Sequence, residues 1–226
     1  VFDPKVRTFE VYNLKTNENI GVFYLDNYAR DGKRSGAWMT TYRSQQKLGG
    51  ERNVLASNNN NFTEAAKGEP TLISLDDAST LFHEFGHGIH FLLYDINYPA
   101  LAGVPRDFVE YPSQVNENWL MTPEVLSKFA THYKTGEPMP QALLDKIEAS
   151  GKFNQGFETV EYLSSAIVDM KLHDRKVPPT DIDKFERETL AEMGMPVAWA
   201  RAWPNRRKSS PSRWWKSADG QCSGIS

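Results

Sequence analysis

One stretch of this chain constrains its fold more than any other. From Leu75 the residue pattern changes from alternation to a helical period, and the helix that begins there carries three of the chain's five histidines. Ser74, followed three residues later by Asp77, reads as a capping-box start. At about 100° per residue, with His83 at zero, His87 lies near 40°, His90 near −20° and Tyr94 near 20°. Leu81, Phe85, Ile89, Leu92 and Leu93 fall between about 160° and 280°. One face is apolar and must dock on something. The opposite face presents imidazoles.

The residues before this helix read as strands. Thr8–Leu14 and Ile20–Asp26 alternate apolar and polar around Thr16-Asn17-Glu18-Asn19, the pattern of a β-hairpin. Ala37–Tyr42, Asn53–Ser57 and Thr71–Ser74 read as further short strands, with Asn58–Asn61 a polar turn or loop. The residues after it read as helices. Asp107–Trp119 is one. Thr122-Pro123-Glu124 opens another, with proline in the first turn. Pro140–Ser150 stops at Gly151, Phe157–His173 is long and amphipathic, and Thr180 with Asp183 opens the last, which stops near Gly194. A small sheet followed by a helical body is the α+β order, predominantly helical.

Composition narrows the function classes. Net charge is −3, which gives no global pull toward nucleic acid or an anionic membrane. Val197–Ser226 is the exception. It carries +5, leaving −8 for the rest, and it holds four of the six tryptophans without a period. This basic tail is expected to lie outside the fold of residues 1–196. No run approaches the roughly 18 apolar residues of a membrane span. Val1-Phe2-Asp3-Pro4-Lys5 lacks a charged-then-apolar signal segment. With a single cysteine, Cys222, the expected compartment is the cytoplasm, a periplasmic parent being the alternative. One cysteine also excludes a disulfide framework and a multi-cysteine zinc site. A metal site here must use histidine and carboxylate.

His83-Glu84-Phe85-Gly86-His87 is H-E-x-x-H. A shuffled chain of this composition shows it with an expectation of roughly 0.01. Two histidines one turn apart can grip one Zn²⁺ from a single helix. Glu84 flanks that face, placed to act as general base rather than ligand. A catalytic zinc takes three protein ligands and keeps a position open. His132 and His173 are candidates for the third, but the 107–119 helix offers a better one. There Glu110, Gln114 and Glu117 share one face, and Phe108, Val115 and Trp119 share the other. Glu110 is the expected ligand. Glu117, two turns on, is expected to support a ligating imidazole, and His90 to pack beside the site.

These residues resemble the thimet oligopeptidase family of zinc peptidases, and within it the bacterial peptidyl-dipeptidases (dipeptidyl carboxypeptidases). The similarity runs through Phe23-Tyr24-Leu25-Asp26, Lys33-Arg34-Ser35-Gly36-Ala37-Trp38-Met39, Thr80–His87 and Pro105–Glu110, and on through Pro112-Ser113-Gln114 to Glu117-Asn118-Trp119. It covers about Phe9 to Met195. The resemblance implies a zincin-like metallopeptidase core, mostly helical, with a small sheet beside a deep channel that admits short peptides. It implies zinc on His83, His87 and Glu110, with Glu84 as base. Gly36, Ala37 and Trp38 would lie at the substrate cleft as a strand pairing with peptide backbone, and Gly103 would let its loop bend around substrate.

The chain departs from the family in two places. The family's long N-terminal helical region has no counterpart here, and its His- and Tyr-rich segment beyond the last matching helix is replaced by the basic tail. The expectation is a partial catalytic domain over 1–196. Three functions follow from it: release of C-terminal dipeptides, endo-acting oligopeptide cleavage, or a zinc-binding fragment with little or no hydrolysis.

Overall fold

The computed structural model describes residues 3–195. They form two units, one ending at Pro140 and the other beginning at Gln141. Among the described residues there are four strands in one sheet and six α-helices, the α+β order expected.

The first unit opens with β1 (Arg7–Tyr12) and β2 (Asn19–Tyr28), antiparallel from Arg7↔Leu25 to Tyr12↔Asn19. The turn between them is closed by Asn13 N–H donating to Glu18 O at 2.9 Å, with Asn17 at φ 58°. β3 (Trp38–Arg43) and β4 (Val54–Phe62) complete the sheet in the order β1-β2-β4-β3. β4 runs parallel to β2 and antiparallel to β3, so it is central and β3 is an edge. The core sits where β2 and β4 meet helix α1 (Leu75–Leu92): Phe23, Val54, Ala56 and Leu92 are all buried there.

β4 corrects the expected turn at Asn58–Asn61. Asparagine is a poor strand former, yet all four lie inside the strand and Asn58 and Asn60 are fully buried. Their amides find partners that outweigh propensity. Asn59 Nδ2 donates to Trp38 O at 3.1 Å and Ser57 Oγ at 2.9 Å. Asn60 Nδ2 donates to Asn27 Oδ1 at 3.0 Å. Asn61 Nδ2 donates to Arg34 O at 2.8 Å and Gly36 O at 2.6 Å. Asn58, with its amide oriented to satisfy both ends, donates to Glu84 O at 2.9 Å and accepts from Phe85 N–H at 2.8 Å. The strand thus ties the 34–38 loop to one side and α1 to the other.

The strand expected at Thr71–Ser74 is absent. Thr71 Oγ1 instead accepts from Ala65 N–H at 3.2 Å, closing a loop, and Ser74 caps α1 by accepting from Asp77 N–H while Asp77 bonds back. After α1 come α2 (Tyr111–Glu117) and α3 (Pro123–Phe129). The helix expected over 107–119 is therefore shorter and opens after a turn at 107–110. Its aromatic face is not its buried one: Phe108, Val115 and Trp119 are exposed, and Ser113 is the residue fully buried.

The second unit holds α4 (Gln141–Lys152), α5 (Gln155–His173) and α6 (Ile182–Glu192). α4 runs through Gly151, and the break falls at Asn154, which takes the left-handed conformation at φ 57°. Asp181, one residue past the expected cap, accepts from Lys184 N–H at 2.9 Å. Phe185 and Leu190 of α6 are buried, and the Arg175 guanidinium lies over Phe185 at 4.4 Å. The tail from Val197 lies outside the described residues.

Candidate metal centre

α1 docks by its apolar face. Phe85 meets Phe23 edge to face with ring centroids 5.4 Å apart, and Leu92 enters the core. Gly88 lets the sheet come close: a Cβ there would stand 3.0 Å from the Phe23 ring and 3.5 Å from the Asn58 side-chain amide. The imidazoles are left on the far side, as the periodicity requires.

α2 packs across that far side through Gly86. A Cβ at 86 would lie 2.6 Å from Ser113 Cα and 2.9 Å from Pro112 O, both backbone atoms. Only glycine permits this approach. Asn116 Nδ2 donates to Phe82 O at 2.7 Å and fixes the second helix along the first. Glu110, the residue that caps α2, is carried to the histidines. Its Oε2 lies 3.1 Å from His83 Nε2 and 3.0 Å from His87 Nε2. The two rings stand edge to face at 5.0 Å.

The structure brings His83, His87 and Glu110 together, one donor atom from each lying within 4.8 Å of the others. Donors around a tetrahedral ion with bonds of about 2.0–2.1 Å lie roughly 3.3 Å apart. The spacings found are close to that, and two imidazoles with one carboxylate are a donor set that divalent zinc accepts. The site fits a metal ion. His132 and His173 are not in this group.

Glu84 is buried. Burial pushes its carboxyl above the usual range, Glu110 adds to the rise, and His83 and a backbone hydrogen bond from Met39 oppose it. Met39 belongs to edge strand β3, so the carboxylate sits where helix and edge strand meet. Burial also holds His87 below its ordinary value, against the pull of Glu110. An imidazole kept neutral is one free to coordinate. Glu117 Oε1 accepts from His83 Nδ1 at 2.6 Å. His90 lies apart from the trio, edge on to Tyr94 at 5.3 Å and 6.5 Å from Phe108, and its buried Nδ1 has no hydrogen-bond partner among the described residues.

Gly36 takes φ 86° just before β3, Ala37 follows it, and Trp38 lies under the Arg34 guanidinium at 4.6 Å. Gly103 stands in open space in the loop before α2. Sequence reasoning missed Ser113, Asn116, Asn58 and Gly86. Only Gly86 left a readable sign, a glycine mid-helix that marks close approach rather than poor helix formation.

The comparisons agree on one family. The model of Peptidase family M3 matches residues 1–210, beyond Pro196 where the resemblance was expected to end. Dipeptidyl carboxypeptidase of Escherichia coli (strain K12) is 40% identical over 214 residues, covering 93% of this chain and 31% of that protein. Oligopeptidase A of the same organism is 41% identical over 203 residues, covering 88% of this chain and 29% of that protein. Saccharolysin of Saccharomyces cerevisiae is 30% identical over 192 residues, covering 78% and 26%. The chain spans under a third of the length of these curated relatives. With these matches set beside the His83, His87 and Glu110 trio, the chain belongs to peptidase family M3.

Proposed function

We propose that this chain is the zinc-binding catalytic part of a zincin-like metallopeptidase that hydrolyses short peptides and releases C-terminal dipeptides. One observation carries the reading: three convergent donors from α1 and the start of α2, with the buried carboxylate of Glu84 beside them. His83, His87 and Glu110 hold the ion. A zinc ion there supplies Lewis-acid charge and makes water acidic enough to ionise near neutral pH. Glu84 takes the proton of the attacking water and later passes it to the leaving amine. Glu117 keeps the His83 proton on Nδ1, so that Nε2 offers its lone pair. His90 packs at the side and supports the ring stack.

Substrate backbone pairs with the open edge of β3, entering at Gly36, Ala37 and Trp38, while the Gly103 loop bends around it. No helix among the described residues is long and apolar enough to cross a membrane. The partners are short peptides.

Endo-acting oligopeptide cleavage is a second reading, favoured by the nearly equal identity to oligopeptidase A and to dipeptidyl carboxypeptidase. A third is a zinc-binding fragment without turnover. What favours it is an apolar cavity of about 480 Å³ between α1 and the sheet, lined by Phe9, Phe23, Phe85, Ile89 and Leu93 among others. Zinc stoichiometry and a cleavage assay on one preparation separate all three. One zinc with dipeptides released from free but not amidated C-termini supports the first. Internal cleavage of blocked peptides supports the second. Zinc without hydrolysis, together with concentration-dependent association, supports the third.

A further inference from the structure

We infer that Ser113 is a positioning residue that aims the Glu110 carboxylate at the two histidines. The inference rests on the metal-site reading above and deepens it. Ser113 is fully buried against Gly86. Its Oγ lies 2.9 Å from Glu110 O and 3.0 Å from Glu110 Oε2. A serine hydroxyl has one proton to give, and a charged carboxylate takes it in preference to a carbonyl. Oε2 is the same oxygen that faces His83 Nε2 and His87 Nε2.

The Glu110 side chain needs such a restraint. It is about half exposed, and it has three rotatable bonds. It also occupies the N-cap position, where a side-chain oxygen can turn back onto the amides two and three residues on. In this chain it makes no such capping bond. Of the two amides that a side chain at this position ordinarily bonds, those two and three residues on, Pro112 has no N–H to offer. The first turn thus withholds one competing donor, while the Ser113 hydroxyl supplies its proton from the side that leaves Oε2 toward the imidazoles. Glu-Tyr-Pro-Ser is in this reading a single device: a ligand, one suppressed competitor and a guide.

The test is a double-mutant cycle on zinc affinity, measured by chelator competition with Glu110→Ala, Ser113→Ala and the double variant. Ser113→Ala removes the hydroxyl without adding bulk at the Gly86 contact. It is expected to weaken zinc binding roughly 10- to 100-fold in the parent. In the Glu110→Ala background the same change is expected to do nothing further. Unchanged affinity in Ser113→Ala, or the same loss in both backgrounds, would overturn the inference while leaving the metal site standing. A parent that binds no zinc would overturn the site reading itself, and this one with it. Should Ser113→Ala fail to fold, Pro112→Ala carries the test, because it restores an amide that competes for the carboxylate. Weaker zinc binding supports the inference, and parental affinity overturns it.

Discussion

His83 Nδ1 lies 2.6 Å from Glu117 Oε1, across two helices and 34 positions of sequence. A carboxylate only accepts, so the contact favours the His83 proton on Nδ1, with Nε2 facing Glu110. Glu117→Ala is expected to weaken zinc binding by about 10- to 100-fold, as loss of an imidazole's outer carboxylate does elsewhere. Glu117→Gln retains an acceptor and is expected to lose less. Zinc titration against a chelator checks both, and parental affinity in Glu117→Ala would remove Glu117 from the site.

Glu84→Gln keeps size and hydrogen bonding but cannot take a proton. It is expected to retain one zinc and to lower peptide cleavage by about 10²–10⁴. Metal analysis and initial rates on the same sample decide it. Full activity would reassign the base.

Gly86→Ala places a methyl 2.6 Å from Ser113 Cα, well inside contact distance. Backbone cannot rotate away, so α2 must lift from α1. A loss of about 1–3 kcal/mol in stability is expected from the overpacking, together with weaker zinc binding because Glu110 travels with α2. Urea unfolding and zinc titration read the two effects. Parental values in both would mean that the helices do not meet at this glycine.

Asn58→Ala removes an amide that bridges the peptide group between Glu84 and Phe85. A cost of about 1–3 kcal/mol is expected for the buried polar groups left behind. Since Glu84 sits on that peptide, turnover should fall more than zinc affinity. An equal fall in both would point to general unfolding instead.

Acid stability follows from Asp26. Burial pushes this carboxyl up, but hydrogen bonds from Arg30 and Lys33, with their charges, outweigh it and hold it below the ordinary range. Arg30 reaches it at 2.7 Å and 2.8 Å, and Lys33 Nζ at 2.9 Å. A depressed carboxyl contributes stability that is present above its unfolded value near 3.8 and lost as pH falls through the folded one. Burial holds Lys33 below its usual value even beside Asp26, yet it stays protonated throughout this acid range. Unfolding midpoints measured from pH 6 to pH 2 are expected to fall less steeply in Asp26→Asn than in the parent.

The parts of the fold that the sequence declares are those governed by local period. The β1–β2 hairpin, the Ser74 cap of α1 and the opposed faces of that helix all follow from spacing within a few residues. Asn58–Asn61 could not be read as strand because its stability lies in partners from elsewhere: Trp38, Asn27, Arg34 and the backbone of α1. α2 departs from its sequence pattern for a related reason. Its apolar residues suggested the buried face, but contact is made through Ser113 and Asn116 against a glycine, which no hydropathy pattern records. His83, His87 and Glu84 were legible because one helical turn relates them. Glu110 and Glu117 stand out by the face they share, and their meeting with the histidines depends on Gly86, a dependence invisible in one dimension.

β4 joins two tasks that an enzyme usually divides. Its odd-numbered asparagines hold the backbone of Arg34, Gly36 and Trp38, and Asn58 grips the helix that bears the histidines. A slip of one residue along this strand would exchange its two sides and release both attachments together. The segment before β3 and the histidine-bearing helix are thereby gauged from a single ruler, and drift in one cannot occur without drift in the other.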